Sequence, residues 1–355
     1  MNNDRIQEIL DLMEEARLDY FLISDPQSIA YCTGYYNDPH ERMFVFMVSK
    51  HGNHTLFMND LFYLEHDLDV NIVWHKDGQD AIQTIVDEMH FPGRIGIDKN
   101  WASHFLLDLM KKLPDAKYIN ASPCVDLVRM KKDLQEQVLM IESSKINDAV
   151  MEEIIPFIQE GVTEKQLAKK LDELFFNHHS TCYGAIVAFG KNAADPHHEN
   201  DDTPLRKGDC VLIDMGCVYK GYCSDMTRTF FYEGILEEEI KVYEIVKKAN
   251  EAAEAMIKPG VKLSDIDKCA RKVISDEGYG KYFTHRLGHF IGRDVHEYGD
   301  VSSVNEMEVE EGMIFSIEPG IYLEENFGVR VEDLVMVTKD GCQVLNSFTK
   351  DIYII

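Results

Sequence analysis

The chain has 355 residues, 45% of them hydrophobic and 28% charged, enough apolar material for two hydrophobic cores and too much for a disordered chain. Its 63 acidic and 36 basic side chains give a formal charge of -27, which argues against nucleic acid or an anionic membrane as partner. No apolar run approaches the roughly 18 residues of a membrane span, and the eight cysteines are scattered without a CxxC pair, so a cytoplasmic protein with reduced thiols is expected.

The first stretch, MNNDRIQEILDLMEEARLDYFLIS, reads as an acidic amphipathic helix running into a strand, without the basic and apolar regions of a secretory leader. Short β-branched and aromatic runs follow: DYFLIS (19–24), MFVFMVSK (43–50), HTLFMN (54–59), VNIVW (70–74) and RIGID (94–98). Alternating with helical patterns, they predict an α/β domain over residues 1–125. From residue 126 to 355 a second domain is expected, beginning with a long helix across MKKDLQEQVLMIESSKINDAVMEEIIPFI. Within it IQEGVTEKQLAKKLDELFF, from Ile158, is echoed 99 residues later by IKPGVKLSDIDKCARKVIS, from Ile257. Each has a glycine-valine, a capping-type residue (Thr163, Ser264) and an amphipathic helix. The echo predicts a duplicated unit with a pseudo-twofold relation and a site between its halves.

Strand-like runs at 184–190, 209–232, 313–323 and 328–338 carry the residues able to do chemistry. Asp214 and Asp225 fall on a predicted hairpin that turns near YKGY (219–222) and, if paired in register, face one side. The stretch HRLGHFIGRDVHE (285–297) holds three histidines, but Arg286 stands where a zinc-protease helix needs glutamate, and Asp300 where it needs the second histidine. Gly288 and Gly292 would each cost a helix about 1 kcal/mol, and suit instead a strand or loop that approaches other backbone closely. Glu318 follows a strand in SIEPG, and Glu332 reads as a mid-strand carboxylate between valines in VRVED, a costly place unless paired or metal-bound. Together with one imidazole, these four carboxylates balance two divalent cations. The oxygen-rich set favours manganese over a structural zinc site.

Asp214, Asp225, His289, Glu318 and Glu332, in the contexts IDMGC, SDMTRTF, HRLGHFIG, SIEPG and VRVED, resemble the metal ligands of the pita-bread metallopeptidases, which include methionine aminopeptidase, aminopeptidase P and prolidase. The preceding α/β domain and the stretch YCTGYYNDPHER (31–42) resemble bacterial Xaa-Pro dipeptidases, that is, prolidases. The resemblance implies an α/β N-terminal domain of the creatinase/prolidase kind, and an α+β pita-bread catalytic domain with an internal pseudo-twofold repeat. It implies two divalent ions, Mn2+ first, with Co2+, Zn2+ or Fe2+ as alternatives, and a bridging hydroxide that attacks the carbonyl before proline. Asp214 would bind one ion, Asp225 and Glu332 would bridge, and His289 and Glu318 would complete the other. Glu318 would also shuttle the proton to the leaving nitrogen, as a catalytic residue beside His296 and His197. His285 and Arg330 would join those two histidines around the substrate. Xaa-Pro dipeptides or short peptides are the implied substrates, a homodimer the implied assembly, and aminopeptidase P the alternative activity.

The sequence departs from the family pattern at Phe290, where glycine is common, at Arg293, where an apolar residue is common, and in HEYG, where HE-x-Pro is frequent. Phe290 is expected to narrow the pocket, and Arg293 to hold the terminal carboxylate of a short peptide. Asp38, His40, Glu41 and Arg42 are expected to reach a neighbouring subunit.

Overall fold

The computed structural model describes every residue of the chain except His66 and Pro92. It separates into two compact units, Met1–Arg129 and Met130–Ile355.

In the first unit, strands β1 (Tyr20–Ile23), β2 (Val45–Ser49), β3 (Thr55–Asn59), β4 (Asn71–His75), β5 (Arg94–Ile97) and β6 (Lys117–Asn120) form one mixed sheet in the order β4-β3-β2-β1-β5-β6. All of β1 and β2 is buried, as strands covered on both faces must be. Alternate side chains of β1 enter different cores. Phe21 and Ile23 pack with Ile6, Ile9 and Met13 of helix α1 (Asn3–Glu15), with Ile29 of α2 (Pro26–Thr33) and with Val125 and Val128 of α5 (Pro123–Met130). Tyr20 and Leu22 pack with Ile82 and Ile85 of α3 (Ala81–Glu88) and Leu109 of α4 (Ser103–Lys112). The five runs read from sequence are thus the first five strands, between two helical layers. Strand β6 is the addition: an edge segment, KYIN, only half-buried at its two central residues, it lacks the apolar density that marks the others. Near the turn at 38–42, Arg42 forks onto both carboxylate oxygens of Asp77 at 2.9 Å.

The second unit opens with α6 (Leu134–Ile154), shorter than the helix expected across 130–158. Asp133 caps it by accepting from the N–H groups of Gln135 and Glu136, while the Glu136 side chain returns to the Asp133 N–H. This D-x-x-E capping box stops the helix from extending backwards. Two 14-residue helices, α7 (Glu164–Asn177) and α9 (Leu263–Asp276), occupy the echoed segments. Each begins after an isolated antiparallel bridge, Thr163 to Pro204 and Lys262 to Glu308. Thr163 caps α7, but Ser264 lies inside α9 and donates to Glu306 instead. Helix α8 (Glu237–Met256) precedes α9.

Two hairpins define the rest of the unit, and both are creased. In the first, β9 (Cys210–Met215) pairs with β12 (Met226–Phe231) and β10 (Cys217–Tyr219) with β11 (Tyr222–Cys223), with the tip at Lys220 and Gly221. In the second, β15 (Ile314–Ile317) pairs with β18 (Asp333–Val337) and β16 (Gly320–Leu323) with β17 (Phe327–Arg330). Strands β7 (Thr181–Cys182) and β8 (Ile186–Phe189) extend the first hairpin, and β19 (Cys342–Val344) the second. The short pair β13 (Gly288–His289) and β14 (Asp300–Val301) lies between them in sequence. Among the described residues no helix is long and apolar enough to cross a membrane, and the eight cysteines are free.

Candidate metal centre and substrate pocket

The creases place the carboxylates. In the first hairpin the ladder runs through Asp214, opposite Thr227, and breaks before Asp225; in the second, Glu318 follows β15 and Glu332 precedes β18. Glu332 is therefore not within a strand, as its flanking valines suggested, but in the two-residue link where the ladder breaks, its N–H donating to the Thr227 carbonyl at 3.1 Å. The second hairpin thus delivers both of its acids from one fault in its hydrogen bonding, whereas in the first Asp225 sits at the fault and Asp214 on the paired ladder beside it.

His289 is brought to the acids by backbone contact. Its N–H donates to Ser316 Oγ at 3.0 Å, and the Glu318 N–H donates to the Leu287 carbonyl at 2.8 Å. Gly288 is required for this approach, because a Cβ there would run into the Ser316 carbonyl oxygen. Nδ1 of His289 lies 3.2 Å from the Phe290 carbonyl, the geometry of an N–H donating to it. That leaves Nε2 facing Asp225 Oδ2 and Glu318 Oε1, each at 3.6 Å. Asp225, His289 and Glu332, all buried, present ligand atoms within 4.8 Å of one another.

Asp214 is joined to this group through Arg330. The buried guanidinium donates to Asp214 Oδ2 at 2.6 Å, to Thr227 Oγ1 at 3.0 Å and to Tyr322 Oη at 3.0 Å, while Thr227 Oγ1 donates to Glu332 Oε2 at 2.6 Å. Arg330 is thus a brace among the acids.

The electrostatics express the crowding. Burial, opposed by Arg330 but reinforced by Asp225, pushes the Asp214 carboxyl up to about 6. Burial likewise takes Glu318 to about 7, against the pull of His289 and Arg330, with Asp225 and Asp214 adding to the rise. Glu332 is raised well above the usual range by burial and then by Asp225, Glu318 and Asp214. Burial alone would depress His289, yet its hydrogen bond to Asp225 and the charge of Glu318 carry it upward. Acids that raise one another's proton affinity in a buried cluster, with one imidazole nitrogen turned toward them, are a donor set short of positive charge. That set fits divalent ions better than it fits protons alone at neutral pH.

The group forms the floor of a cavity of about 450 Å³, also lined by Tyr183, His197, His285, Arg286, His296 and Arg330. The His296 ring packs edge-on to His289 with centroids 4.3 Å apart; burial, then the neighbouring charges of His289 and Arg286, depress it to about 4. His285 is also held near 4, chiefly by burial, with Nδ1 at 2.7 Å from the Arg286 carbonyl and Nε2 at 2.8 Å from Tyr322 Oη. Both rings are neutral at pH 7. Of the vicinal pair, His197 lines the cavity and His198 turns away to Glu164.

Two expectations change. Arg293 is absent from the cavity wall among the described residues; its guanidinium lies over the Tyr222 ring at 5.4 Å and beside Gly221. Besides Arg330, which is committed to the acids, the cavity is lined by the cation Arg286, 40% exposed, with Asp300 at 4.0 Å. Phe290 does not narrow the cavity either. Strand alternation sends it opposite to His289, fully buried against Phe315 with centroids 5.3 Å apart. Its ring fills the space that a Cβ at Gly299 would need, so the residues at 290 and 299 are coupled by packing. Besides Arg286, sequence reasoning missed Tyr183, Thr227 and Tyr322. Thr227 alone carried a signal: in the strand-like run 209–232 it falls two residues after Asp225, and strand alternation would set both on one face.

Comparison with known proteins identifies the family. Residues 138–339 match the model of metallopeptidase family M24, and residues 5–131 that of the creatinase/prolidase N-terminal domain. An uncharacterized peptidase of Staphylococcus aureus is 34% identical, with 98% of this chain and 99% of its own length covered. Among solved structures, a dipeptidase from Pyrococcus horikoshii has 35% identity and a TM-score of 0.93, covering 99% of this chain and 100% of its own. A prolidase from Thermococcus sibiricus has 32% identity and a TM-score of 0.94, covering 100% and 99%. The chain belongs to metallopeptidase family M24: a pita-bread catalytic domain behind an α/β domain of the creatinase/prolidase type.

Proposed function

We propose that this metallopeptidase is an Xaa-Pro dipeptidase, with two divalent ions, manganese first, held by Asp214, Asp225, His289, Glu318 and Glu332. The observation that carries the reading is the five-residue donor set on the floor of a cavity whose wall offers one incompletely engaged guanidinium, Arg286. When bound, such ions lower the pKa of water toward neutrality and polarise a peptide carbonyl, which removes the need for a side-chain nucleophile. Glu318, on the cavity floor beside His289, would take a proton at its carboxylate and pass it to the departing proline nitrogen. His296 and His197 border the cavity where the carbonyl oxygen and the peptide would lie. His296, being neutral, acts there as a hydrogen-bonding group and not as a charge.

Substrate length separates this activity from that of aminopeptidase P. A dipeptide presents a carboxylate immediately after proline, and Arg286 can meet it with a planar fork of donors. His285, held by Tyr322, and Arg330, holding Asp214, support the wall and floor around that substrate.

The test is cleavage by protein stripped with a chelator and reloaded with manganese, offered Leu-Pro, Leu-Pro-Pro and Leu-Ala in parallel. Hydrolysis of Leu-Pro alone is expected, with KM raised in Arg286→Ala. Preference for the tripeptide would move the protein to aminopeptidase P activity. No hydrolysis of any substrate by the loaded protein would sink the proposal.

A further inference from the structure

His197 has an exposed side chain on an irregular loop, so its own packing does not hold it in the cavity. A buried acid outside the metal centre does hold the loop. Glu164, the first residue of α7, has no solvent exposure at its side chain. Its Oε1 accepts from the Phe189 N–H and from Asn192 Nδ2, both at 2.9 Å. Its Oε2 accepts from His198 Nε2 at 2.6 Å and from the Asp201 N–H at 3.0 Å. A carboxylate offers about four lone-pair sites, and all are filled. Although Glu164, His198 and Asp201 bring ligand-type atoms together, Glu164 therefore has no oxygen left for a cation. Its charge sits instead at a helix N-terminus, where the backbone dipoles favour it.

We propose that Glu164 and His198 form a latch that positions His197 for the substrate. The geometry shows why a latch is needed. His197 lies two residues after Asp195, whose carboxylate accepts its N–H at 3.0 Å and whose carbonyl accepts the His198 N–H at 3.2 Å. Beyond it, Asn200 bonds the Val187 N–H and the Ala185 carbonyl, each at 2.7 Å, which ties the far end of the loop to β8. Between these anchors the Pro196 carbonyl accepts from Arg330 Nη1 at a long 3.5 Å, and on the other side of His197 the His198 side chain reaches inward to Glu164 at 2.6 Å. Its bond to Glu164 is short and charge-assisted, and fixes the direction of the neighbouring side chain by fixing the shared backbone. Glu164 and His198 are thus positioning residues acting through His197.

The inference rests on the proposal that His197 meets substrate, so the experiment has one arm that needs no substrate. In the manganese-loaded protein, amide hydrogen exchange over residues 195–201 is expected to quicken in His198→Ala, with the interior of α7 unchanged. In the second arm, Leu-Pro cleavage is measured for His197→Ala, His198→Ala and the double variant. His198→Ala is expected to lower kcat/KM by about 10- to 100-fold, with little further loss in the double variant beyond His197→Ala. His198→Gln, which can still donate to Glu164, is expected to recover most of the activity. Additive losses, or loop exchange equal to wild type, would overturn the latch. If His198→Ala does not fold, Glu164→Gln and His198→Gln undergo the same two measurements. A wild-type protein that leaves Leu-Pro uncut would defeat the substrate proposal, while the exchange arm would still decide the latch.

Discussion

Glu318 and Asp214 show what the donor set asks of its surroundings. With carboxyls at about 7 and about 6, against ordinary values of 4.5 and 3.8, both hold protons more tightly in the metal-free fold than in the unfolded chain. Their protonation therefore stabilises the metal-free fold fully below about pH 4, and that contribution is lost as pH rises through 6 to 7. Divalent ions held by this set would compete for the same oxygens. The rise in Tm on adding manganese to chelator-stripped protein is thus expected to be small at pH 5 and to grow steadily to pH 8. A rise that is flat with pH would mean that the ions bind elsewhere. At this scale the sequence is legible for residues with a distinctive neighbourhood: the acids and His289 stand out because each lies in a short stretch of unusual composition. Arg286 was present in the same stretch but carried no directional signal, since the chain bends there and strand alternation does not apply.

At the scale of elements, local hydrogen-bond logic outweighed apolar pattern wherever the two conflicted. The helix expected from residue 130 begins at Leu134 because Asp133 and Glu136 cap it, and Ser264 became a helix residue because Lys262, two positions earlier, makes the bridge that precedes α9. Of the creases only one side was legible, the end of β15 before Glu318, where Pro319 and Gly320 follow; the matching break at Glu332 and the whole first crease were not. A fault shared by two strands depends on their pairing, and pairing is a tertiary fact. The coupled positions 290 and 299 give a prediction at this scale. Gly299 has a φ of 101° and its added Cβ would lie 2.8 Å from the Phe290 ring. Gly299→Ala is expected to destabilise by about 1–3 kcal/mol. In denaturant unfolding, part of that loss should disappear in the background of Phe290→Ala, leaving the cost of the backbone conformation. Strict additivity of the two changes would show that the ring is not what excludes the side chain.

For the whole molecule, the division at Arg129 and Met130 sets every donor-set residue and every cavity-wall residue in one unit. Sequence texture placed the change near residue 125; the difference is the length of α5, whose valines complete a core of the first unit. Calorimetry is expected to resolve two transitions, with only that of Met130–Ile355 moving when manganese is removed. Equal movement of both would show that the first unit senses the metal. The charge of -27 acts at this scale too, as a field that draws divalent cations and repels polyanions independently of the site.

The creased hairpins also bear on how the protein comes into being. Asp214 and Asp225, and again Glu318 and Glu332, are joined by short stretches of chain, so each pair can meet as soon as its own hairpin closes, while the two hairpins are separated by α8 and α9. The site therefore draws on two half-sites made at different moments of synthesis, and a cation held by both would clasp the two hairpins together.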